Sequence, residues 1–149
     1  MRNRRKAREL AMQVLFYMDM SHNYSEEAVK LFCGNFVTSK SSLSFFLELI
    51  NGVIKALPEI DSVIRRFSSN WKISRMSIVD RNIMRLAVYE MLFCGDIPSK
   101  VSINEAIDIG KKFGTEESGA FINGILDSIR ISLEEEKIIK PQTLTNTPE

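Results

Sequence analysis

The sequence predicts an all-α fold, a compact bundle of about seven helices in a single domain. The chain has 149 residues, of which 44% are hydrophobic, and this length suits one domain with a substantial core. It contains only four prolines and seven glycines, and Gly95 alone interrupts the stretch between Pro58 and Pro98. Apolar residues recur at helical spacing, and no stretch shows the alternation of a strand.

The first helix is predicted from about residue 4 to 20, where His22 and Asn23 end the periodic pattern. One face is apolar and carries Ala7, Leu10, Ala11, Val14, Leu15 and Met18. At 100° per residue, the opposite side is a stripe joined by Glu9 that holds Arg5, Arg8, Met12 and Phe16.

Three further helices are predicted before residue 70. Ser25 is a suitable N-cap for the second helix, and a polar loop over residues 38–42 separates it from the third. Pro58 is tolerated in a first helical turn, so a fourth helix can begin there and end near Ser68. Residues 71–77 read as a connector.

The fifth helix, from about residue 78 to 93, is apolar on most sides, which is typical of a central helix. Ser102 and Glu105 fit a capping box at the start of the sixth helix. Gly114 ends that helix, and Thr115 is the predicted N-cap of the seventh. We expect the domain to span residues 1–136 and residues 137–149 to form a disordered tail.

Gly124 lies in an Asn-Gly pair that would normally indicate a turn, yet the helical pattern continues through it. A glycine inside a helix costs about 1 kcal/mol relative to alanine. We therefore expect another part of the chain to pack closely against Gly124.

Charge is distributed unevenly along the chain. Residues 2–8 carry five positive charges and no acid, whereas the net charge of the whole chain is +1, so the remainder is mildly acidic. Such an arm can contact a polyanion without help from the overall charge. If all five charges met phosphates of single-stranded RNA, the log–log salt slope would be about −3.5.

Several classes of function find no support in the residues. The two cysteines lie 61 positions apart and there is one histidine, so we expect no metal site and no cofactor. There is no phosphate-binding glycine loop or nucleophile motif, and we expect no catalytic residues. No apolar run is long enough to span a membrane and no signal peptide is evident, so the expected location is cytoplasmic.

The polar stripe of the first helix combines guanidinium groups with an aromatic ring. Single-stranded nucleic acid is bound by such a combination, in which cations meet phosphates and a ring stacks on a base. The alternative is that the cations are merely solvated and that Phe16 packs on a neighbouring helix. The residues of this helix leave both interpretations open.

Five segments together resemble the NusB family of bacterial transcription antitermination factors. They occur in the family's order and read RRKARE from Arg4 with Ala11 and Gln13, DR from Asp80 with RLA and YE downstream, IP from Ile97 with INEA, KFG from Lys112, and FINGILD from Phe121. The resemblance covers about residues 4 to 130, and residues 22–45 and the tail carry little of it.

The resemblance implies an all-α fold of two packed helical subdomains, with binding to the boxA element of ribosomal RNA leader transcripts. It also implies two protein partners, the ribosomal small-subunit protein NusE and the RNA polymerase elongation complex with other Nus factors. The implied RNA-binding residues are Arg4, Arg5, Lys6, Arg8, Gln13, Phe16, Glu117 and Phe121. Partner contacts are implied near Asp80, Arg81 and Arg85. Phe16 stands where many relatives have tyrosine, which removes a hydroxyl group and leaves a ring that can stack.

Two alternative functions remain open at the level of sequence. A similar helical domain forms the RNA-binding appendage of some ribosomal RNA cytosine methyltransferases, and a bundle of this kind can also serve only as a protein-interaction module. The family includes monomers and homodimers, and a homodimer could cover the RNA-binding face.

Overall fold

Seven α-helices and one short 3-10 helix make up the part of the chain that the structure describes. This computed structural model covers residues 2–36, 40–68, 71–136 and 138. The helices are α1 (Arg2–Ser21), α2 (Glu26–Phe36), α3 (Lys40–Lys55), α4 (Leu57–Phe67), α5 (Ile78–Phe93), α6 (Ser99–Phe113) and α7 (Ser118–Glu134), with the 3-10 turn at Ile73–Arg75. The predicted all-α fold is confirmed, whereas the predicted tail lies outside the described residues except for residue 138.

The central helix is α5, as its apolar sequence indicates. It packs against α1 and α3 on one side and against α4, α6 and α7 on the other. Helices α1 and α3 form the tightest pair in the first group, and α6 and α7 do so in the second. Buried side chains from all seven helices join one continuous core, so the two groups are packed halves of a single body.

Local sequence signals set several helix ends as predicted. The Ser25 hydroxyl accepts a hydrogen bond from the Ala28 N–H at 3.1 Å and caps α2. Pro58 lies in the first turn of α4, and Gly114 follows α6 as its C-cap. His22, with φ of 54°, is in the left-handed conformation that ends α1.

Two predicted caps are wrong. Helix α6 begins at Ser99 after Pro98, three residues before the predicted cap, and the Ser102 hydroxyl instead donates to Glu90 at 2.7 Å. Helix α7 begins at Ser118, and it is the Ser118 hydroxyl that accepts from the Thr115 N–H at 2.9 Å. Ser102 therefore serves a tertiary contact rather than the cap that its spacing indicated, and Thr115 is a donor to Ser118 rather than the cap of α7.

The close packing predicted at Gly124 is also wrong. A Cβ atom placed there would meet nothing within 4 Å, because this side of α7 is open. The close approach occurs instead at Gly52 of α3, where a Cβ atom would overlap the ring of Tyr89 on α5.

Candidate nucleic-acid interface

The first turns of α1 present cationic side chains at the surface. Arg4, Arg5 and Lys6 are all exposed. The Arg4 guanidinium lies 4.7 Å from the centre of the Phe45 ring and 3.6 Å from the Asp96 carboxylate. This end of α1 therefore offers positive charge that is oriented by an aromatic ring and by the loop before α6.

Arg5 is held by two acids of α6. Its guanidinium donates to both Glu105 oxygens, at 3.0 and 2.7 Å, and to Asp108 at 3.0 Å, while half of its side chain stays exposed. The hydrogen bonds from Arg5 lower the pKa of Glu105, so this carboxylate stays ionised. An incoming phosphate would have to compete with these two acids for the same guanidinium.

Arg8, predicted on the exposed stripe, is buried instead. Its guanidinium forms two hydrogen bonds with Glu90, at 2.7 and 3.0 Å, and the side chains are only 7% and 1% exposed. Met12 of the same stripe is also buried. The reason is that three helices meet the Arg8 guanidinium: Glu90 of α5, Glu105 of α6 at 3.7 Å, and the Phe45 ring of α3 at 5.3 Å.

A cleft separates the start of α1 from the α5–α6 loop. Its volume is about 420 Å³, and Arg4, Arg5 and Arg8 line one side of it. Asp96, Pro98 and Glu105 line the other side. Charged groups of both signs therefore line the cleft, together with the apolar side chains of Ile97 and Val101.

Farther along α1, Gln13 and Phe16 lie at a smaller apolar depression. Gln13 donates to the Glu9 carbonyl at 3.2 Å, and both residues line a space of about 200 Å³ together with Val79 and Phe113. Phe16 is half-buried and meets Tyr17 edge to face at 5.7 Å. The Phe16 ring is therefore partly accessible to solvent and partly packed against Tyr17.

Tyr17 was not singled out from the sequence, although it is 49% exposed. Its ring stacks on Phe32 of α2 at 5.5 Å. The signal that could have identified it is its position beside Phe16, which gives α1 two successive aromatic residues at the boundary of its buried face.

The remaining two predicted RNA-binding residues, Glu117 and Phe121, lie at the start of α7. Glu117 is exposed directly before the helix, and Phe121 is half-buried one turn into it. The Phe121 ring meets Trp71 nearly at a right angle, at 5.8 Å. Trp71 is 53% exposed and was treated only as part of a connector, because nothing in its local sequence pairs it with a residue 50 positions away.

The predicted partner residues lie at the start of α5, and two of them are tied into the fold. Arg81 donates to both oxygens of Asp19 on α1, each at 2.6 Å. Arg85 is buried. Its Nε and Nη2 each donate to Asp61 of α4 at 2.9 Å, and its Nη1 donates to Asp19 at 3.0 Å. These carboxylates use the donors of Arg85 inside the protein, so its side chain is not free to contact a partner directly.

Asp80 differs from these arginines. It is buried, and its Oδ1 is the one buried side-chain nitrogen or oxygen among the described residues that lacks a hydrogen-bond partner. The two arginines that follow it on α5, Arg81 and Arg85, pair with Asp19 and Asp61 instead. Glu90, at the other end of α5, pairs with Arg8.

Asp19 stays ionised at the centre of this network. Burial acts to raise its pKa, but the hydrogen bonds from Arg81 and Asn82 and the charge of Arg85 outweigh that effect and hold the pKa below its ordinary value. Asp19 therefore ties α1 to α5 through charge as well as through apolar contact.

The described residues offer little for catalysis. They contain no group of three or more residues that could hold a metal ion. Burial raises the pKa of the Cys94 thiol to about 12, which leaves it protonated and unreactive at neutral pH. None of the helices in the described ranges is long and apolar enough to cross a membrane.

Comparisons of the sequence and of the fold with known proteins both point to one family. Residues 5–130 match the NusB family. The chain is 59% identical over 137 residues to the transcription antitermination protein NusB of Desulfatibacillum aliphaticivorans, which covers 92% of this chain and 96% of that protein.

Among solved structures, T. maritima NusB is 37% identical and superimposes with a TM-score of 0.77, covering 93% of this chain and 94% of the other. A chain in the structure of the antitermination factors NusB and NusE in complex with double-stranded RNA is 28% identical, with a TM-score of 0.80. It covers 89% of this chain and 98% of that chain.

Proposed function

This chain belongs to the NusB family, and from that premise we propose that it is a transcription antitermination factor that binds RNA together with NusE. One observation carries the proposal. The chain shares its fold, over 89% of its length, with a protein solved in a complex of NusB, NusE and RNA. The RNA expected from the resemblance is the boxA element of ribosomal RNA leader transcripts.

We assign the RNA-binding face to the exposed side of α1 and the start of α7. Arg4, Arg5 and Lys6 would meet phosphates, while Gln13, Phe16 and Phe121 would meet bases. Glu117 lies beside Phe121 and would accept hydrogen bonds from base amino groups. Arg8 supports this face from beneath, because its pairing with Glu90 fixes α1 against α5 and α6.

We assign the NusE contact to the surface around Asp80. Asp80 lies in the first turn of α5, and its Oδ1 has no hydrogen-bond partner among the described residues, so this turn carries an acceptor that the fold does not use. Arg81 is slightly exposed beside it, whereas Arg85 acts by fixing the start of α5. In this arrangement the pair of proteins would join the RNA polymerase elongation complex with other Nus factors, in the cytoplasm and without catalysis by this chain.

Fluorescence anisotropy with labelled boxA RNA and a scrambled RNA tests the proposal. We expect weak binding to boxA by the chain alone and tighter binding when NusE is added. Arg5→Ala should weaken binding, whereas Lys55→Ala, which removes an exposed cation at the far end of α3, should not. Equal affinity for both RNAs, with and without NusE, would contradict the proposal.

The two alternative functions give different results. A methyltransferase appendage would act beside a cofactor domain, and the relative reported above is an antitermination protein. Saturable binding of S-adenosylmethionine by this chain would favour that alternative. A protein-interaction module would bind NusE and show no salt-dependent binding of RNA.

A further inference from the structure

We propose that Trp71 and Phe121 form a second nucleic-acid contact, a platform on which an unpaired base of the RNA stacks outside the α1 site. The inference rests on the proposed function for the identity of the ligand as RNA. It adds a binding site for single-stranded nucleotides that flank the core element. The site lies where the connector before α5 meets α7.

Trp71 is exposed although its backbone is firmly placed. Its N–H donates to the Ser68 carbonyl at 2.8 Å, and its own carbonyl accepts from the Ser68 hydroxyl at 3.2 Å. Ser68 is itself buried and also donates to Ile64 at 2.8 Å. The fold therefore holds an indole ring with 53% of its surface in water, where an apolar ring of this size gains nothing by itself.

The surface beside the ring is open. A depression of about 290 Å³ is lined by Phe67, Trp71, Ala120, Phe121, Gly124 and Ile125. At Gly124 no atom would meet a Cβ within 4 Å, so a flat ligand can approach the α7 backbone there. The two rings meet at 76° rather than in a stack, and 53% of Trp71 stays exposed, so the rings do not cover each other face to face.

Charge decides which partner this surface fits. Residues 62–77 contain four cations and no acid, and all four cations are exposed: Arg65, Arg66, Lys72 and Arg75. The Arg66 guanidinium lies 5.3 Å from the centre of the Phe67 ring, at the edge of the depression. On α7, Asp127 is paired with Arg130 at 2.8 Å, and the exposed acids before this helix are Glu116 and Glu117.

An exposed aromatic ring in a segment that carries four exposed cations and no acid is complementary to single-stranded nucleic acid, whose bases stack and whose phosphates are negative. An apolar protein partner would gain nothing from the four cations. The platform also continues the proposed RNA-binding face, since Phe121 belongs to both. We therefore infer that RNA leaving the α1 site passes over α7 to Trp71.

The test uses the chain's single tryptophan as its own reporter. Core boxA RNA is compared with the same RNA carrying a short oligoadenosine extension at its 5′ or 3′ end. We expect one extension to tighten binding about tenfold and to quench Trp71 fluorescence, since one stacked base contributes roughly 1–3 kcal/mol. Trp71→Ala should abolish this gain and leave the affinity for core RNA unchanged, and Trp71→Phe should retain most of the gain.

Two controls separate the platform from general effects. Leu31→Ala removes another exposed hydrophobic side chain, 63% exposed on α2, and should leave the gain intact. Lys72→Gln should flatten the log–log salt slope for the extended RNA by about 0.7, the contribution of one phosphate, whereas Lys55→Gln should not. A gain that survives Trp71→Ala, or fluorescence that RNA does not quench, would overturn the inference.

Titration with oligoadenosine alone keeps this inference distinguishable from the proposed function. If oligoadenosine quenches Trp71 fluorescence saturably and the chain does not bind boxA RNA, the platform is supported and the proposed function is contradicted. Binding of boxA without any quenching, at either extension, would do the reverse. A Trp71→Ala effect on NusE binding alone would assign the surface to protein and overturn the inference.

Discussion

At the scale of single residues, Arg5 and Arg8 show how one helical turn separates two roles. The Arg5 side chain is half exposed and pairs with two acids, Glu105 and Asp108. The Arg8 side chain is buried and pairs with Glu90. A surface ion pair contributes little to stability, because water screens it. A buried pair contributes chiefly through what its loss would leave behind, an uncompensated charge in the interior.

Glu90→Gln should therefore destabilise the fold strongly. Glutamine keeps the volume but removes the closest counter-charge of Arg8, leaves only Glu105 at 3.7 Å, and places an amide donor beside a guanidinium donor. We expect the free energy of unfolding in urea to fall by about 3–5 kcal/mol, the usual cost of breaking a buried pair. Glu134→Gln, which removes an exposed partner of Arg130 on α7, should change it by no more than about 0.5 kcal/mol. Equal losses for the two variants would contradict this assignment.

The pairing of Arg8 also marks the limit of prediction from sequence at this scale. Helical periodicity places Arg8 opposite the apolar face of α1, and that placement is geometrically correct. Burial on the polar side comes from α6, and the counter-charge comes from Glu90, 82 positions away. The same holds for Trp71 and Phe121, whose contact depends on how α7 packs beside the turn before α5.

At the scale of elements, most helices could be predicted because their patterns are local. The predicted bounds of α5 agree with the structure, and the caps at Ser25 and Pro58 act within one turn. The predicted cap of α6 fails because the helix already begins at Ser99 after Pro98, which places Ser102 inside it, where the Ser102 hydroxyl donates to Glu90. The close packing predicted at Gly124 failed for a related reason, because the sequence shows that a glycine is present but not which neighbour it faces.

The junction of α1 with α5 should be sensitive to acid. The pKa of Asp19 is held below its ordinary value, so its contribution to stability is present above the unfolded pKa of about 3.9 and is lost as the pH falls through the folded pKa. Asp19→Asn should lower the free energy of unfolding near neutral pH, and the difference from wild type should shrink below about pH 4. Urea unfolding at a series of pH values measures this difference. Asp108→Asn, at an exposed site, is the matched control, and a difference for Asp19→Asn that does not change with pH would contradict the prediction.

A pair of glycine substitutions tests the packing of helices α3 and α7. Gly124→Ala should stabilise the protein by about 0.5–1 kcal/mol, because it gains helix propensity and meets no neighbour. Gly52→Ala gains the same propensity but drives a methyl group into the Tyr89 ring, and overpacking of this kind costs about 1–3 kcal/mol. Thermal unfolding of both variants should therefore move in opposite directions. A rise in Tm for Gly52→Ala would show that the Tyr89 ring moves aside freely.

At the scale of the whole molecule, affinity for RNA must come from placement of charge rather than from its amount. The net charge is +1, and three arginines, Arg8, Arg81 and Arg85, are paired inside the fold with Glu90, Asp19 and Asp61. The exposed cations include three at the start of α1 and four in residues 62–77. The central helix α5 links the two halves, so the relative position of the two cationic surfaces is set by the core.

Salt dependence measures how this charge is divided. Of the five cations in residues 2–8, Arg8 is withdrawn into the core, and Arg4, Arg5 and Lys6 are exposed. Three phosphate contacts by single-stranded RNA give a log–log slope of about −2 from α1, shallower than the value for five.

Arg5→Gln should flatten the slope for core RNA by about 0.7 and leave the free energy of unfolding within about 0.5 kcal/mol of wild type. Arg8→Gln should do the opposite, since it leaves Glu90 uncompensated in the interior, so its loss appears in urea unfolding while the slope of the remaining folded protein stays unchanged. Anisotropy at four salt concentrations, paired with urea unfolding of each variant, separates the two outcomes. A flatter slope for Arg8→Gln with undiminished stability would mean that Arg8 leaves Glu90 to bind RNA.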